Sequence, residues 1–452
     1  AVGLLGVAAL FPVGSHYLRQ GDVSDRADAI AASALNASIA RGMLDPENWI
    51  IARGIPANNP SRAVYDTNFA TAFESDLAAA TNDLTSGTNP IADPLLRQIA
   101  INRRMNLLYG SIYFLDPLGV AETMSPDVSV LSFNLAGAVS ANARFFPATV
   151  TLGAFAPGHP AWQPWAAVGG ESTGFWPVRR LSVSTGALPI NNRPLPPMPP
   201  QAEALVVADD DLSIELNDYR GNPYEFTPDN PSQQLWQASN NQPLKRLSRS
   251  DFSWALTIVP TTPAARNGLI TDPESYSYDV SAVVYHKRAA GGRYDRSQLS
   301  PPTFGHDETL VGERMVRAAV GTTGVGGGQL RVSLDGGELP VSPTPNAPLV
   351  ESPLEKLAEG QWVMLFGPHP QSTSLQPLLF CQWYRVISIE EDPQVSASIF
   401  VRGPDWPWTP GGDASDPATG IQNDLRMVIV PDVVTVHTRT MKLNPGSAWD
   451  VD

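Results

Sequence analysis

The first eleven residues, Ala1 to Phe11, form an uncharged and apolar segment, and they constrain the fold more than any other stretch of the chain. A segment of this composition has to be buried against something, because water surrounds an ordinary chain end. As a helix it would be about 16 Å long, which is short of the ~20 apolar residues that a membrane span needs. The burial partner is therefore expected to be protein, unless the segment continues upstream. A signal-peptide remnant is the alternative reading, but the small-residue cleavage pattern of such peptides does not follow Phe11.

The sequence after Phe11 predicts that the helix continues to about residue 42. Small and apolar residues recur there with a period of 3.6, and charged residues occupy the positions between them. Pro12 is predicted to kink or locally melt the helix, since it lacks an N–H group. Gly42 and Pro46 supply the stop signal. The predicted packing face comprises Val23, Ala27, Ile30, Ala31, Ala34, Leu35, Ser38 and Ile39.

Composition excludes several classes of function. The 452 residues carry a formal charge of −15, which disfavours nucleic acid or an anionic membrane surface as a partner. The single cysteine, Cys381, excludes an intrachain disulfide. The chain is expected to need no cofactor, although two acidic residues in a glycine-containing loop, Asp413 and Asp416, are candidates for a structural calcium site. Plain solvated acids are the other reading of that loop.

The chain is predicted to have an α+β fold with four regions. An N-terminal filament-core helix, 1–44, precedes a mixed α/β segment, 45–188, and a proline-rich linker, 189–200. The last region, 201–452, is predicted to be a large antiparallel β-rich domain of sandwich type, because polar residues alternate with β-branched and aromatic ones between turn signals.

Two shorter patterns add detail to this organisation. A second helix is predicted over 92–109, with Asp93 as its cap, Pro94 in the first turn, and Leu95 among the residues of a buried face. A strand is predicted from Ala204 to Val207.

Catalytic motifs are scarce in the sequence. The glycine run from Gly321 to Gly328 lacks the Lys-Ser/Thr ending of a phosphate-binding loop, and it is interpreted as a hairpin loop. The chain is therefore expected not to be an enzyme. Several tryptophans in proline-rich stretches are candidates for stacking on sugars, although packing against the prolines also accounts for them. They are Trp162, Trp165, Trp176, Trp406 and Trp408.

The N-terminal pattern resembles the first helix of type IV pilins and of the pseudopilins of type II secretion systems. The resemblance covers about 40 residues: Ala1 to Phe11 is similar to the second half of the family's apolar run, and Pro12 corresponds to the proline that ends it. In the C-terminal half, SWALTIVP, SAVVYHKR, GQWVMLFG and CQWYRVISIE are similar to the strands of unusually large prepilin-like proteins. The family's peptidase site, methylated residue and glutamate would lie upstream of Ala1.

The resemblance implies a structural subunit of an extracellular, cell-surface filament. Such a subunit would sit in the inner membrane before it joins a homo-oligomeric helical assembly, and a role in motility, adhesion or secretion stays open. The residues expected to form the assembly helix are Ala1, Val2, Leu4, Leu5, Val7, Leu10, Phe11, Pro12, Val13, Leu18, Ala27, Ile30 and Ala34. The alternatives are a secreted or surface-anchored protein that binds or modifies carbohydrate, and a surface-lattice protein.

Overall fold

A computed structural model describes the chain over the following residues: 2–52, 62–87, 90–98, 100–101, 112–122, 138–140, 146–147, 178–185, 194, 196–197, 199–207, 252–261, 277–288, 313–322, 324–333, 354, 357–368, 379–390, 396–408 and 425–443. The helices are α1 (Val2–Ala40), α2 (Phe69–Ser86), α3 (Pro117–Glu122) and α4 (Pro199–Val206). The strands are β1 (Trp49–Ala52), β2 (Arg62–Asn68), β3 (Ile112–Leu115), β4 (Ala138–Ser140), β5 (Val178–Val183), β6 (Phe252–Pro260), β7 (Ser277–His286), β8 (Arg314–Val320), β9 (Gly327–Ser333), β10 (Trp362–Pro368), β11 (Leu379–Ile389), β12 (Ser396–Arg402), β13 (Arg426–Ile429) and β14 (Val433–Lys442).

The strands form two units. Eight of the described strands make a mixed sheet in the order β14-β7-β6-β3-β5-β1-β2-β4, and among these strands only the pair β3–β5 is parallel. The other six close into an antiparallel barrel in the order β10-β11-β12-β9-β8-β13. Strands on both sides of the predicted linker, 189–200, belong to the eight-stranded sheet, so strand pairing crosses that predicted boundary.

The sheet lies between helices on one face and the barrel on the other. Residues of α1, α2, α3 and α4 share one apolar cluster with the first face, including Trp254 and Tyr278. The opposite face, including Phe114 and Val283, packs against residues on the barrel strands, including Met364 and Trp383. Strand β6 is buried along its whole length, because both of its faces are covered. This explains its nearly continuous apolar sequence.

Helix α1 packs on the sheet through its second half, and the predicted packing face is confirmed there. Ala27, Ala31, Ala34, Leu35 and Ser38 are buried, at the spacing of a helix that presents one face to a core. Val23, Ile30 and Ile39 are partly buried against the same cluster. The hydroxyl of Thr435, on the edge strand β14, donates a 2.6 Å hydrogen bond to the carboxylate of Asp28 on the helix.

Gly42 ends the helical turn as the sequence predicted. Its φ of +64° is readily adopted by glycine, which has no Cβ. The Gly42 N–H donates to the Ile39 carbonyl at 3.0 Å, and the Met43 N–H donates to the Ser38 carbonyl at 2.8 Å. These two bonds are the Schellman pattern, which satisfies carbonyl groups at a helix end.

The predicted fold class is wrong in two respects. Within the described residues there is no long apolar helix of pilin type, since charged residues interrupt α1 from Arg19 onward and its second half belongs to the protein's own core. Strand dominates the described structure, and the C-terminal half contributes to a sheet and a closed barrel rather than a sandwich. The helix is also continuous through Pro12, so the predicted melting at that residue is not found.

Local predictions were confirmed or corrected by the same packing. The helix that was predicted at 92 begins at residue 94, and the Asp93 carboxylate accepts a 2.8 Å hydrogen bond from the Leu95 N–H. Leu95 is exposed, however, so its assignment to a buried face is wrong. Residues 204–206 belong to α4 and not to a strand. Helix α2 was missed, although Asn68 and the following alanine-rich sequence are a typical helix start; the Asn68 amide oxygen accepts from the Thr71 N–H.

Candidate functional site

Two features of the described structure bear on function: the N-terminal part of α1 and a buried cluster of charged side chains. Among the predicted assembly residues, Ala27 and Ala34 are buried in the protein's own core, and Ile30 is partly buried there. Leu18 is 77% exposed. The side chains of the predicted residues up to Val13 lie outside the described set, although Val2 and all later residues of the segment belong to α1.

The side chains of α1 that are described just before Ala27 are mostly exposed. Gly21, Asp22, Asp25 and Arg26 are exposed, and no side chain described between residues 18 and 26 is buried. The helix continues N-terminally to Val2, which places about 25 residues, or ~38 Å of helix, before Ala27, where the first buried side chain among the described residues lies. Within the described part of the chain, no helix combines the length and the apolar character that a membrane span requires.

A four-residue ionic cluster lies where the sheet meets the barrel. It consists of Asp116 after β3, Arg180 on β5, Arg288 after β7, and Glu313 just before β8. Arg288 donates two hydrogen bonds of 2.7 Å to the two carboxylate oxygens of Asp116. Arg180 contacts Asp116 through one terminal nitrogen and Glu313, at 2.5 Å, through the other. All four side chains are at most 7% exposed, so the charges are paired inside the protein.

Local sequence positions each member of this cluster. Asp116 precedes Pro117 at the start of α3, and its carboxylate accepts a 3.0 Å hydrogen bond from the Gly119 N–H. The guanidinium of Arg180 lies over the ring of Phe114, 5.1 Å from its centroid. That of Arg288 lies 4.2 Å from the Tyr285 centroid. The aromatic faces stabilise the cations that the carboxylates neutralise.

The electrostatics of the cluster favour the ionised forms of Asp116 and Arg180. Burial by itself raises the pKa of Asp116, but the charges of Arg288 and Arg180 outweigh burial and lower that pKa to about 2. Burial likewise opposes the charged form of Arg180, yet Glu313 and Asp116 raise its pKa. A cluster whose charges are matched and hydrogen-bonded does not supply a proton donor or a nucleophile. The geometry of the four-residue cluster therefore fits a structural link between the sheet and the barrel.

The sequence reasoning missed this cluster. Arg180 lies within a strand that is buried at every position, and a charged residue in such a strand signals a buried partner. The partners themselves, 64 and 133 residues away in sequence, leave no local signal.

The barrel interior contains two of the tryptophans that were considered as sugar platforms. Trp406 and Trp408 are each 5% exposed and belong to the barrel's apolar cluster. The glycine run joins β8 to β9 and packs over Trp406; a Cβ placed on Gly324 would lie 2.0 Å from the indole ring. These two indoles are therefore core residues without a face open to a glycan. Trp162, Trp165 and Trp176 lie outside the described residues.

The calcium candidates Asp413 and Asp416 also lie outside the described residues. Within the described part of the chain, no group of three or more His, Cys, Asp or Glu side chains is arranged to hold a metal ion. The lone cysteine, Cys381, is buried.

Comparison with known proteins adds no family to this description, since no protein-family model, curated protein or solved structure matches the chain.

Proposed function

We propose that this chain is a non-catalytic structural subunit of an extracellular filament of the type IV pilus or pseudopilus kind. The observation that carries the proposal is the exposure of the described side chains just before Ala27, Leu18 being 77% exposed, on a helix that continues N-terminally to Val2 through the uncharged sequence before Pro12. Apolar surface of this kind is stabilised when neighbouring copies bury it.

The division of α1 also supports an assembly role. Its second half is held by the subunit's own sheet through Ala27, Ala31, Ala34 and Leu35, so the helix has a fixed direction relative to the body. A rigidly held helix loses less conformational freedom on association than a free segment would. The acidic body, in contrast, is suited to water.

The proposal is tested with the full chain carrying Leu18→Asp. A charge at this exposed position should leave the fold intact and should prevent burial of the helix between copies. Ala32→Asp is the matched control, because Ala32 is also exposed but belongs to the half of the helix that packs on the sheet. We expect sedimentation and electron microscopy to show filaments for the unsubstituted chain and for the control, but not for Leu18→Asp.

Assembly by the Leu18→Asp chain at the unsubstituted level would refute the proposal, as would a monomeric unsubstituted chain. Removal of residues 1–41 is not a suitable test, since it would also remove Ala27, Ala31, Ala34 and Leu35 from the core. For the carbohydrate-binding alternative, no described residue offers support, because the described tryptophans of that hypothesis are buried.

A further inference from the structure

The outer surface of the barrel carries two arginines directly opposite each other on neighbouring strands. In the antiparallel pair β11–β12, Arg385 is in register with Arg402. Both side chains are exposed, and their neighbours Tyr384, Val386 and Val401 point into the barrel core. Like charges at directly opposed positions of an antiparallel pair lie about 5 Å apart and destabilise it.

These arginines have no counterion within the described protein. Arg385 donates a 3.3 Å hydrogen bond from Nε to the Gly360 carbonyl, which does not neutralise its charge. Neither Arg385 nor Arg402 forms an ion pair with any described residue. The contrast with the buried arginines is clear, since Arg180 and Arg288 each contact two carboxylates.

Apolar side chains accompany the arginine pair. Between Val386 and Ser388 the register of β11 shifts, and the extra residue, Ile387, is 50% exposed. Phe400, two positions before Arg402 on β12 and therefore on the same strand face, is half-buried. Arginine and aromatic residues next to exposed aliphatic surface are the composition that is enriched at protein–protein interfaces.

We infer that this patch, comprising Arg385, Ile387, Phe400 and Arg402, docks an acidic surface of a second copy of the chain. Charge complementarity selects that partner: the chain has 45 acidic and 30 basic residues, so a second copy offers an excess of carboxylates that can pair with the two guanidinium groups. A carboxylate from the neighbour would relieve the repulsion between Arg385 and Arg402. The inference rests on the proposed function, because it names a second contact between the subunits of the filament.

The test measures self-association in the full chain carrying Leu18→Asp, where the proposed helix contact is removed. A labelled chain is titrated onto an immobilised chain of the same sequence at low ionic strength. We expect Arg385→Glu together with Arg402→Glu to weaken this binding at least tenfold. With the patch intact, we expect binding to weaken as salt is raised, because exposed charges are screened.

A second double variant controls for net charge. Lys287→Glu together with Lys442→Glu changes the charge equally at two exposed positions at the ends of strands of the eight-stranded sheet, away from the barrel face that carries the patch, and it should alter the affinity less than twofold. Equal losses in both double variants, or no measurable self-association of the Leu18→Asp chain, would overturn the inference.

The single variant Arg402→Glu separates docking from a structural role. It places a carboxylate opposite Arg385, so the thermal midpoint of the chain should stay the same or rise while self-association weakens. A lower midpoint would make the arginine pair a structural element and overturn the inference.

The outcomes for the two proposals are distinguishable. Patch-dependent binding by the Leu18→Asp chain, combined with an unsubstituted chain that forms no filaments, would leave the docking surface standing and the filament proposal refuted. If the unsubstituted chain forms filaments and the binding of the Leu18→Asp chain does not depend on the patch, the filament proposal would stand and the docking surface would be refuted.

Discussion

At the scale of single residues, the ionic cluster around Asp116 is the part of the described structure that depends most on having every partner in place. Buried charges are expensive to desolvate, and they persist only where the partners and the hydrogen bonds are in place. Here Asp116 accepts from two guanidinium groups and from the Gly119 N–H. Each arginine in turn lies over an aromatic ring. The four residues therefore depend on one another.

Replacing Asp116 by Asn should destabilise the protein by about 3 kcal/mol, because it leaves two buried guanidinium groups facing a single carboxylate. Urea unfolding at pH 7 measures the loss. Asp25→Asn is the control; its carboxylate is exposed, so the change should stay within about 0.5 kcal/mol. Equal stability of Asp116→Asn and the unsubstituted chain would contradict the assigned role of the cluster.

At the scale of elements, the packing of helix α1 on the sheet depends on small residues. Three alanines, Ala27, Ala31 and Ala34, lie on its buried face, and small side chains allow the helix to approach the sheet closely. The face is set by spacing, since Asp28 and Ala32, one position after Ala27 and Ala31, are exposed.

Ala31→Asp should destabilise the chain by about 3 kcal/mol or more, since it would place an unpaired carboxylate at a position with no solvent exposure. The neighbouring Ala32→Asp should change stability by less than about 0.5 kcal/mol. Both values come from chemical unfolding followed by circular dichroism. Similar losses for the two variants would mean that the helix does not dock on this face.

At the scale of the whole molecule, the question is how the barrel is attached to the sheet. The interface combines apolar packing with the ionic cluster and with a hydrogen bond of 2.8 Å from the Trp383 indole N–H to the Thr257 hydroxyl. The cluster draws three members from the sheet region and one, Glu313, from the entry to the barrel. Its protonation state should therefore affect the stability of the assembled pair of units.

The direction of the pH effect follows from the lowered pKa of Asp116. The folded value is about 2, below the ordinary value of 3.8 that applies to the unfolded chain. The stabilisation is thus fully present above pH 4 and is lost as the pH falls toward 2. We expect a loss on the order of 2 kcal/mol over that range.

Urea unfolding between pH 6 and pH 2 measures this dependence, with Asp116→Asn as the reference. Other carboxylates contribute to both proteins, so the difference between the two curves isolates Asp116. The difference should shrink as the pH falls below 4, and a constant difference down to pH 2 would contradict the assignment.

Much of the local structure follows from the sequence, because its determinants are local. The buried face of α1, the stop at Gly42 and the β-rich character of the C-terminal half were predicted from periodicity and turn signals. Helix α2 was within reach of the same rules, since Asn68 caps it. One failure concerns exposure: Leu95 fits a helical period but is exposed, because periodicity does not say which segments have a neighbour to pack against.

The sequence by itself determined where apolar surface lies along the chain and which residues start and stop the elements, since propensity and hydrophobic period act over a few neighbouring residues. Only the tertiary structure decided that the N-terminal apolar segment leads into a helix half covered by its own sheet, that six strands close into a barrel, and that Asp116 meets Arg180 and Arg288. The reason is physical: strand pairing and ion pairing join residues that are far apart in sequence, and their partners are selected by the packing of the whole chain.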